Sequence, residues 1–222
     1  MMETAHFWKP DTIILLGDLI DFYCLSAHGG SNPNRKQLIE AELNPAKALL
    51  KQLDGLGASK KIYIAGNHES RLNRYLADHA PKLYNQFKLE TWLNLRETDW
   101  QFVPYMQTYD SGKVLYTHDL GNSGAYAVHQ ALPKAQHSIV IGHIQRMDYV
   151  IASDIRGHNR IAMCPGWLGN ANNIDYEHSL LAKTAWSQGF ALAEEWPGGI
   201  TTFIPVPIIK DKVYFMGKVF TG

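Results

Sequence analysis

Short apolar runs rich in β-branched residues recur along the chain, and each ends where polar residues begin. The run Thr12 to Leu16 stops at Gly17-Asp18, and Lys61 to Ala65 stops at Gly66-Asn67-His68-Glu69. A short apolar run bounded by turn residues is typical of a buried parallel strand that ends in a loop. The pattern therefore predicts two strands whose loops present polar side chains.

Two further strands are predicted in the middle of the chain. Val114 to Thr117 is followed by His118-Asp119, and Ser138 to Ile141 is followed by Gly142-His143. Functional groups of open α/β sheets collect at the carboxyl ends of the strands. We therefore expect the four polar loops to converge in space, although they lie far apart in the sequence.

Helical patterns separate these strands. Apolar spacing predicts one helix that opens at Ser31-Asn32-Pro33 and runs to Leu53, a second from about Ser70 to Ala80, and a third from about Gly124 to Leu132. Strands and helices thus alternate, which is typical of the α/β class.

The last third of the chain changes character and predicts a second sheet packed on the first. No repeat, low-complexity tract or linker marks a boundary, and 222 residues suit one domain with a full core. We therefore predict a single domain over residues 1–222. The β-rich segments of this last third are Tyr149 to Ala152, Arg160 to Met163, Phe190 to Ala193 and Thr201 to Val206.

Composition narrows the class of function. Lys plus Arg and Asp plus Glu both number 21, which removes the general charge attraction used by non-specific nucleic-acid and acidic-membrane binders. Cys24 and Cys164 are far apart, so neither a disulfide scaffold nor a thiolate zinc site is predicted. No apolar segment approaches the roughly 18 residues of a membrane span, and the N-terminus lacks signal-peptide features. These features favour a cytoplasmic protein without membrane contact.

The residues that follow the four strands are of types that bind divalent metal ions. Asp18, Asn67, His118 and His143 supply one carboxylate, one amide oxygen and two imidazoles. This ligand set suits Mn, Fe or Zn. Such an ion activates water and neutralises the charge on phosphoryl oxygens. The set therefore favours metal-dependent hydrolysis of a phosphate ester.

His68 directly follows the predicted ligand Asn67, so its imidazole is expected at the rim of the same site. An imidazole in that position can protonate the leaving oxygen, and we therefore assign His68 as the general acid. Glu69 and Asp21 are interpreted as carboxylates that orient His68 and the strand-end loops, because metal ligands are usually held by outer partners.

Each motif has a simpler interpretation when it is taken alone. Gly17-Asp18 and Gly142-His143 occur as ordinary turns, and a histidine at a strand end such as His118 is often a core residue. The combination is more informative, because the motifs occur in order and each ends a predicted strand. Trp167 and Trp186 could line a substrate pocket from loops, but we expect both in the core.

The ordered motifs Gly17-Asp18-Leu19-Ile20-Asp21, Gly66-Asn67-His68-Glu69, Thr117-His118 and Gly142-His143 resemble those of the calcineurin-like metallophosphoesterases, from about Pro10 to Met147. The β-rich tail, with Cys164-Pro165-Gly166 and Trp186-Ser187-Gln188-Gly189-Phe190, is similar to phage and bacterial members. The resemblance implies a four-layer αββα sandwich, in which helices flank two mixed sheets, and a site for two metal ions. It implies Asp18 as a bridging ligand, Asn67, His118 and His143 as further ligands of one ion, and His68 as the acid.

The chain departs from that family at two motifs. Asp-x-His, the family's first motif, occurs nowhere in the sequence, and Gln145 stands where the last motif has a second histidine. Both losses fall on ligands of one ion. We therefore expect one ion per chain, with Mn preferred over Fe and Zn and the second site weakened or absent.

A second explanation is a natural protein that begins earlier. The segment Met1 to Pro10 looks like the end of the helix that follows the family's first strand, so that strand would be missing here. An unpaired sheet edge would then favour a homodimer.

Three functions remain open at this point. The first is hydrolysis of a small-molecule or nucleotide phosphate ester, either a monoester or a diester. The second is a catalytically impaired scaffold or binding protein with the same fold, although the presence of His68 argues against it. The third is a nuclease, for which Arg71, Arg74 and Arg146 near the motif loops are the evidence. Their simpler interpretation is solvated surface charge, and the neutral net charge disfavours nucleic acid.

Overall fold

The computed structural model describes residues 1–26, 38–169, 186–198 and 200–221. It shows a mixed α/β protein with several sheets, which confirms the fold class predicted from the sequence. Two compact units are formed, one by residues 8–107 and the other by residues 1–7 and 108–222. The placement of residues 1–222 in one domain stays a prediction. Helix α1 spans Met2–Trp8, in agreement with the helical interpretation of this segment.

The unit of residues 8–107 is built on a parallel sheet of three strands. These strands are β1 (Thr12–Leu15), β2 (Lys60–Ile64) and β3 (Trp100–Val103), in the order β1-β2-β3. The central strand is β2, and its residues Ile62, Tyr63 and Ile64 are fully buried. Burial on both faces accounts for the continuous apolar sequence of this strand.

Helices of this unit join its parallel strands. A short 3-10 helix (Tyr23–Leu25) and α2 (Ile39–Asp54) lie between β1 and β2. Helix α3 (Ser70–His79), a 3-10 helix (Pro81–Leu83) and α4 (Leu89–Trp92) lie between β2 and β3. The predicted second helix is therefore confirmed as α3, and the first as α2, whose predicted opening at Ser31-Asn32-Pro33 lies outside the described residues.

The other unit contains a five-stranded mixed sheet. Its strands are β4 (Tyr109–Asp110), β5 (Leu115–Thr117), β6 (Ile139–Ile141), β7 (Met147–Ser153) and β8 (Asn159–Pro165). They lie in the order β4-β5-β6-β8-β7, with β5, β6 and β8 parallel and the two outer strands antiparallel to their neighbours.

Helix α5 (Ala127–Ala135) is the crossover between the parallel strands β5 and β6. It begins and ends about three residues later than the sequence predicts. The apolar face of the helix packs on the sheet and forms a core with it. The members of this core are Val128, Ala131, Leu132, Ile139, Ile141, Ala162 and Cys164.

A second sheet in this unit is fully antiparallel. It consists of β9 (Gly189–Trp196), β10 (Ile200–Ile209), β11 (Lys212–Phe215) and β12 (Lys218–Thr221), with neighbouring strands paired in sequence order. Helix α1 contacts β12, where the rings of Phe7 and Phe220 lie 5.5 Å apart.

The grouping of strands into sheets differs from the expectation. The four motif strands were expected to share one sheet, but β1 and β2 belong to the three-stranded sheet and β5 and β6 to the five-stranded one. The strands β7 and β8 of the last third join the sheet of β5 and β6. Apolar spacing identifies a strand but does not specify its partner, which explains this difference. Every described helix is too short or too polar to cross a membrane.

Candidate metal centre and general acid

The buried carboxylate of Glu69 organises the loop that follows β1. Its two oxygens accept hydrogen bonds from the backbone N–H groups of residues 18, 19 and 20, at 2.9, 2.7 and 3.2 Å. They also accept from the Tyr63 hydroxyl at 2.9 Å and from the Gly66 N–H at 2.8 Å. Burial and the charge of Asp18 raise the pKa of Glu69, while these hydrogen bonds oppose the rise. Glu69 therefore holds the Asp18 loop against the end of β2.

Asp18 is held in an uncommon backbone conformation. Its φ is 56° and follows a φ of 89° at Gly17, so both residues are left-handed. Asp tolerates this region better than most residues do. The Asp18 side-chain oxygen Oδ1 accepts a hydrogen bond from the His68 N–H at 3.1 Å. The predicted ligand Asp18 and the predicted acid His68 therefore lie together.

A carboxylate and a guanidinium orient His68. The His68 Nδ1 atom contacts Asp21 Oδ1, and the Arg71 Nη1 atom donates to the same Oδ1 at 2.6 Å and to the Asp21 carbonyl at 2.8 Å. The side chains of His68 and Arg71 are only 17% and 11% exposed. Glu69 and Asp21 thus divide the roles expected of them, because Glu69 binds the loop backbone and Asp21 contacts His68.

Asn67 lies in the turn between β2 and α3, directly before His68. Its carbonyl accepts a hydrogen bond from the Ser70 hydroxyl at 2.7 Å and one from Arg74 Nη2 at 3.4 Å. These contacts hold the turn at the start of the helix. The predicted ligand Asn67 is therefore placed in the same turn as the predicted acid.

The two histidines that follow β5 and β6 lie side by side. The rings of His118 and His143 are 5.2 Å apart between centroids and are inclined by 70°. His118 is 1% exposed, whereas His143 is half-buried. The parallel pairing of β5 with β6 brings the two strand ends together, as the sequence predicts for these loops.

His143 occupies a tight turn with positive φ. The Ile144 N–H donates to the Gly142 carbonyl at 2.7 Å, so His143 is the central residue of a three-residue turn, with a φ of 58°. The buried Cys164 thiol lies 3.5 Å from the same carbonyl. Burial raises the pKa of this thiol to about 11, which keeps it neutral. A non-glycine residue held in this region marks a position where function often overrides backbone preference.

Trp167 and Trp186 are not core residues, and this expectation was wrong. Both are half-buried, and their rings pack against each other at 5.3 Å. The Trp167 N–H donates to the Ser187 carbonyl at 3.2 Å, and the Ser187 N–H donates to the Gln145 carbonyl at 3.0 Å. Backbone pairing between these segments keeps the two tryptophans near the surface of their unit.

The predicted ligands offer donor atoms in each unit. His118 and His143 offer two neighbouring imidazoles in one unit, and Asp18 offers a carboxylate in the other. One carboxylate and two imidazoles match the preferences of Mn, Fe and Zn. The chemistry of these donors therefore fits a divalent metal ion.

The family model for calcineurin-like phosphoesterases matches residues 2–186. The chain therefore belongs to the calcineurin-like phosphoesterase family, whose members are metal-dependent phosphoester hydrolases. A comparison with the curated proteins gives no match.

Sequence reasoning missed two residues that support these groups. Arg71 was interpreted as solvated surface charge, which is wrong, because its side chain is mostly buried against Asp21. Tyr63 was seen only as part of an apolar strand, yet its hydroxyl binds Glu69. A spacing of 50 residues separates Arg71 from Asp21, so no local pattern could have indicated their contact.

Proposed function

We propose that this chain hydrolyses phosphate esters with one divalent metal ion, held by Asp18, Asn67, His118 and His143. Family membership and the donor set of one carboxylate and two imidazoles support the proposal. Asn67 is included because it occupies the same turn as His68, whose N–H donates to Asp18. Mn is the preferred ion, with Fe and Zn as alternatives. A bound ion would supply activation of water and neutralisation of phosphoryl charge.

The general acid in this proposal is His68. Its Nδ1 atom faces Asp21, so its Nε2 atom is left for proton transfer to the leaving oxygen. Arg71 donates to Asp21 and keeps that carboxylate in place. This oriented histidine beside Asn67 is the observation that carries the proposal, because a protein that only binds has no need of a positioned acid.

The proposed substrates are small-molecule or nucleotide phosphate esters. Monoesters and diesters both fit a site with one ion and one acid. A nitrophenyl monoester and a bis-nitrophenyl diester separate these two possibilities, because both release a coloured product.

The test compares the wild type with His68→Ala and His143→Ala proteins after loading with Mn. We expect His68→Ala to retain the ion and to lower kcat by about 10²- to 10⁴-fold, the usual contribution of a general acid. We expect His143→Ala to lose both bound Mn and turnover. His158→Ala is the matched control, because that histidine is 70% exposed on the β7–β8 hairpin.

Each outcome of this test has a clear meaning. Unchanged turnover in His68→Ala removes His68 as the acid. A wild-type protein that binds no Mn, Fe or Zn, as measured by metal analysis, would contradict the proposal and would support the scaffold alternative.

A further inference from the structure

Two arginines on α3 have different environments. Arg71 donates hydrogen bonds of 2.6 and 2.8 Å to Asp21, and its side chain is mostly buried. Arg74 is exposed and, among the described residues, donates one hydrogen bond of 3.4 Å. The charge of Arg71 is therefore neutralised by Asp21 within the fold. In contrast, most guanidinium N–H donors of Arg74 remain available for a ligand.

The contact of Arg74 places its guanidinium next to the turn that carries the proposed acid. Arg74 Nη2 donates to the Asn67 carbonyl, which belongs to the peptide group that joins Asn67 to His68. Ser70 donates to the same carbonyl at the shorter distance of 2.7 Å, so Ser70 alone can close the turn. The long Arg74 contact therefore positions the guanidinium without being needed for the turn.

Ion pairing does not account for the charge of Arg74. The ion pairs formed among the described residues do not include it, and Asp78, one helical turn further along α3, is not within ion-pair distance. A guanidinium presents five N–H donors in a planar fork that suits the oxygens of a phosphate group. Its exposed donors are thus available to an anionic ligand.

We propose that Arg74 binds a second phosphate on the leaving group, so that the site prefers phosphomonoesters whose alcohol carries another phosphate. This inference rests on the proposed function, since His68 protonates the leaving oxygen and therefore marks the leaving-group side. Water adds its oxygen to the scissile phosphorus, and the ester P–O bond breaks with its electron pair. The leaving oxygen takes the proton of His68, and the proton released by the water restores His68.

Two matched substrates test the inference, a nucleoside 3′-phosphate and the corresponding nucleoside 3′,5′-bisphosphate. For Arg74→Ala we expect KM for 3′-phosphate release from the bisphosphate to rise about tenfold, the usual order for losing a hydrogen bond to a charged group at a partly exposed site. KM for the monophosphate should change less than about twofold.

Two further variants serve as controls. Arg74→Lys should give an intermediate KM for the bisphosphate, because it keeps the charge but loses the planar fork. Arg96→Ala removes another exposed arginine of the same unit and should change neither KM. Equilibrium binding of the bisphosphate to metal-free protein gives a second readout, in which Arg74→Ala should weaken binding and flatten its salt dependence.

The outcomes separate this inference from the proposed function. If Arg74→Ala changes both substrates alike, or neither, the inference is overturned and the hydrolase proposal stands. Turnover of nitrophenyl esters without turnover of either nucleotide has the same meaning. A wild-type protein without metal-dependent turnover of any ester overturns both.

Discussion

Glu69 illustrates how one buried side chain supports several parts of a site. Five donors surround its carboxylate, three from the backbone after β1, one from Tyr63 and one from Gly66. A buried carboxylate is costly unless its oxygens are fully hydrogen-bonded. The folded structure satisfies that need with the loop that carries Asp18, so the conformation of this loop is linked to the stability of the fold.

Replacing Tyr63 with Phe tests this link. The change removes one donor to a buried charge and is expected to lower the free energy of unfolding by about 1–2 kcal/mol. Urea unfolding would measure it. Tyr116→Phe is the control, because among the described residues the Tyr116 hydroxyl has no hydrogen-bond partner, so its removal should cost less stability. Equal losses in both variants would argue against a special role for the Tyr63 hydroxyl.

At the scale of single residues, sequence reasoning succeeded where a motif was local. Asn67, His68 and Glu69 are adjacent, so their shared turn could be predicted from the order of residues. The contact of Asp21 with Arg71 could not, because it joins residues on different elements. The local grouping of the candidate residues was therefore easier to predict than the contacts that hold them.

At the scale of elements, α2 shows how apolar spacing produces a buried face. Its buried residues, Leu43, Ala46, Leu50 and Leu53, recur three and four positions apart. This spacing places them on one side of the helix. The same regularity made the helix predictable, whereas the short strands β3, β11 and β12 escaped prediction because they mix apolar with polar residues and have no motif at their ends.

Replacing Leu50 with Ala tests the contribution of this face. Leu50 is 3% exposed, so the change leaves a cavity and should destabilise the chain by about 2–4 kcal/mol. The same substitution at Leu38, which is 74% exposed, should cost less than about 0.5 kcal/mol. Chemical denaturation followed by circular dichroism would measure both. Similar losses at the two positions would contradict the packing of α2 seen in the structure.

At the scale of the whole molecule, a bound metal ion should stabilise the native state. A ligand at about 100 times its Kd raises the free energy of unfolding by about 2.7 kcal/mol. For a chain of this size, that corresponds to a rise in Tm of about 5–10 °C. We expect this rise with Mn, and its reversal by a chelator, in a thermal unfolding experiment.

Two controls make this prediction specific. His143→Ala should show little or no rise in Tm with Mn, because one of the proposed imidazole ligands is gone. Calcium should have a smaller effect on the wild type, since it prefers oxygen ligands to imidazoles. A full Mn effect in His143→Ala would place the ion elsewhere in the protein.

The arrangement of sheets was the least predictable feature at this scale. Each strand that carries a motif was found from its own apolar run, but pairing depends on residues far away in the sequence. The motif strands β1 and β2 belong to the three-stranded sheet and β5 and β6 to the five-stranded sheet. Strands β7 and β8 also belong to the five-stranded sheet. Local sequence patterns do not specify which strands pair with each other.

The turn at His143 has a consequence for anyone who engineers this chain. A φ of 58° favours glycine, which adopts this conformation without steric cost but has no side chain to bind a metal ion. Selection for heat tolerance in the absence of metal ions would therefore favour glycine at this position. The resulting protein would be more stable to heat without metal but would lack the His143 imidazole.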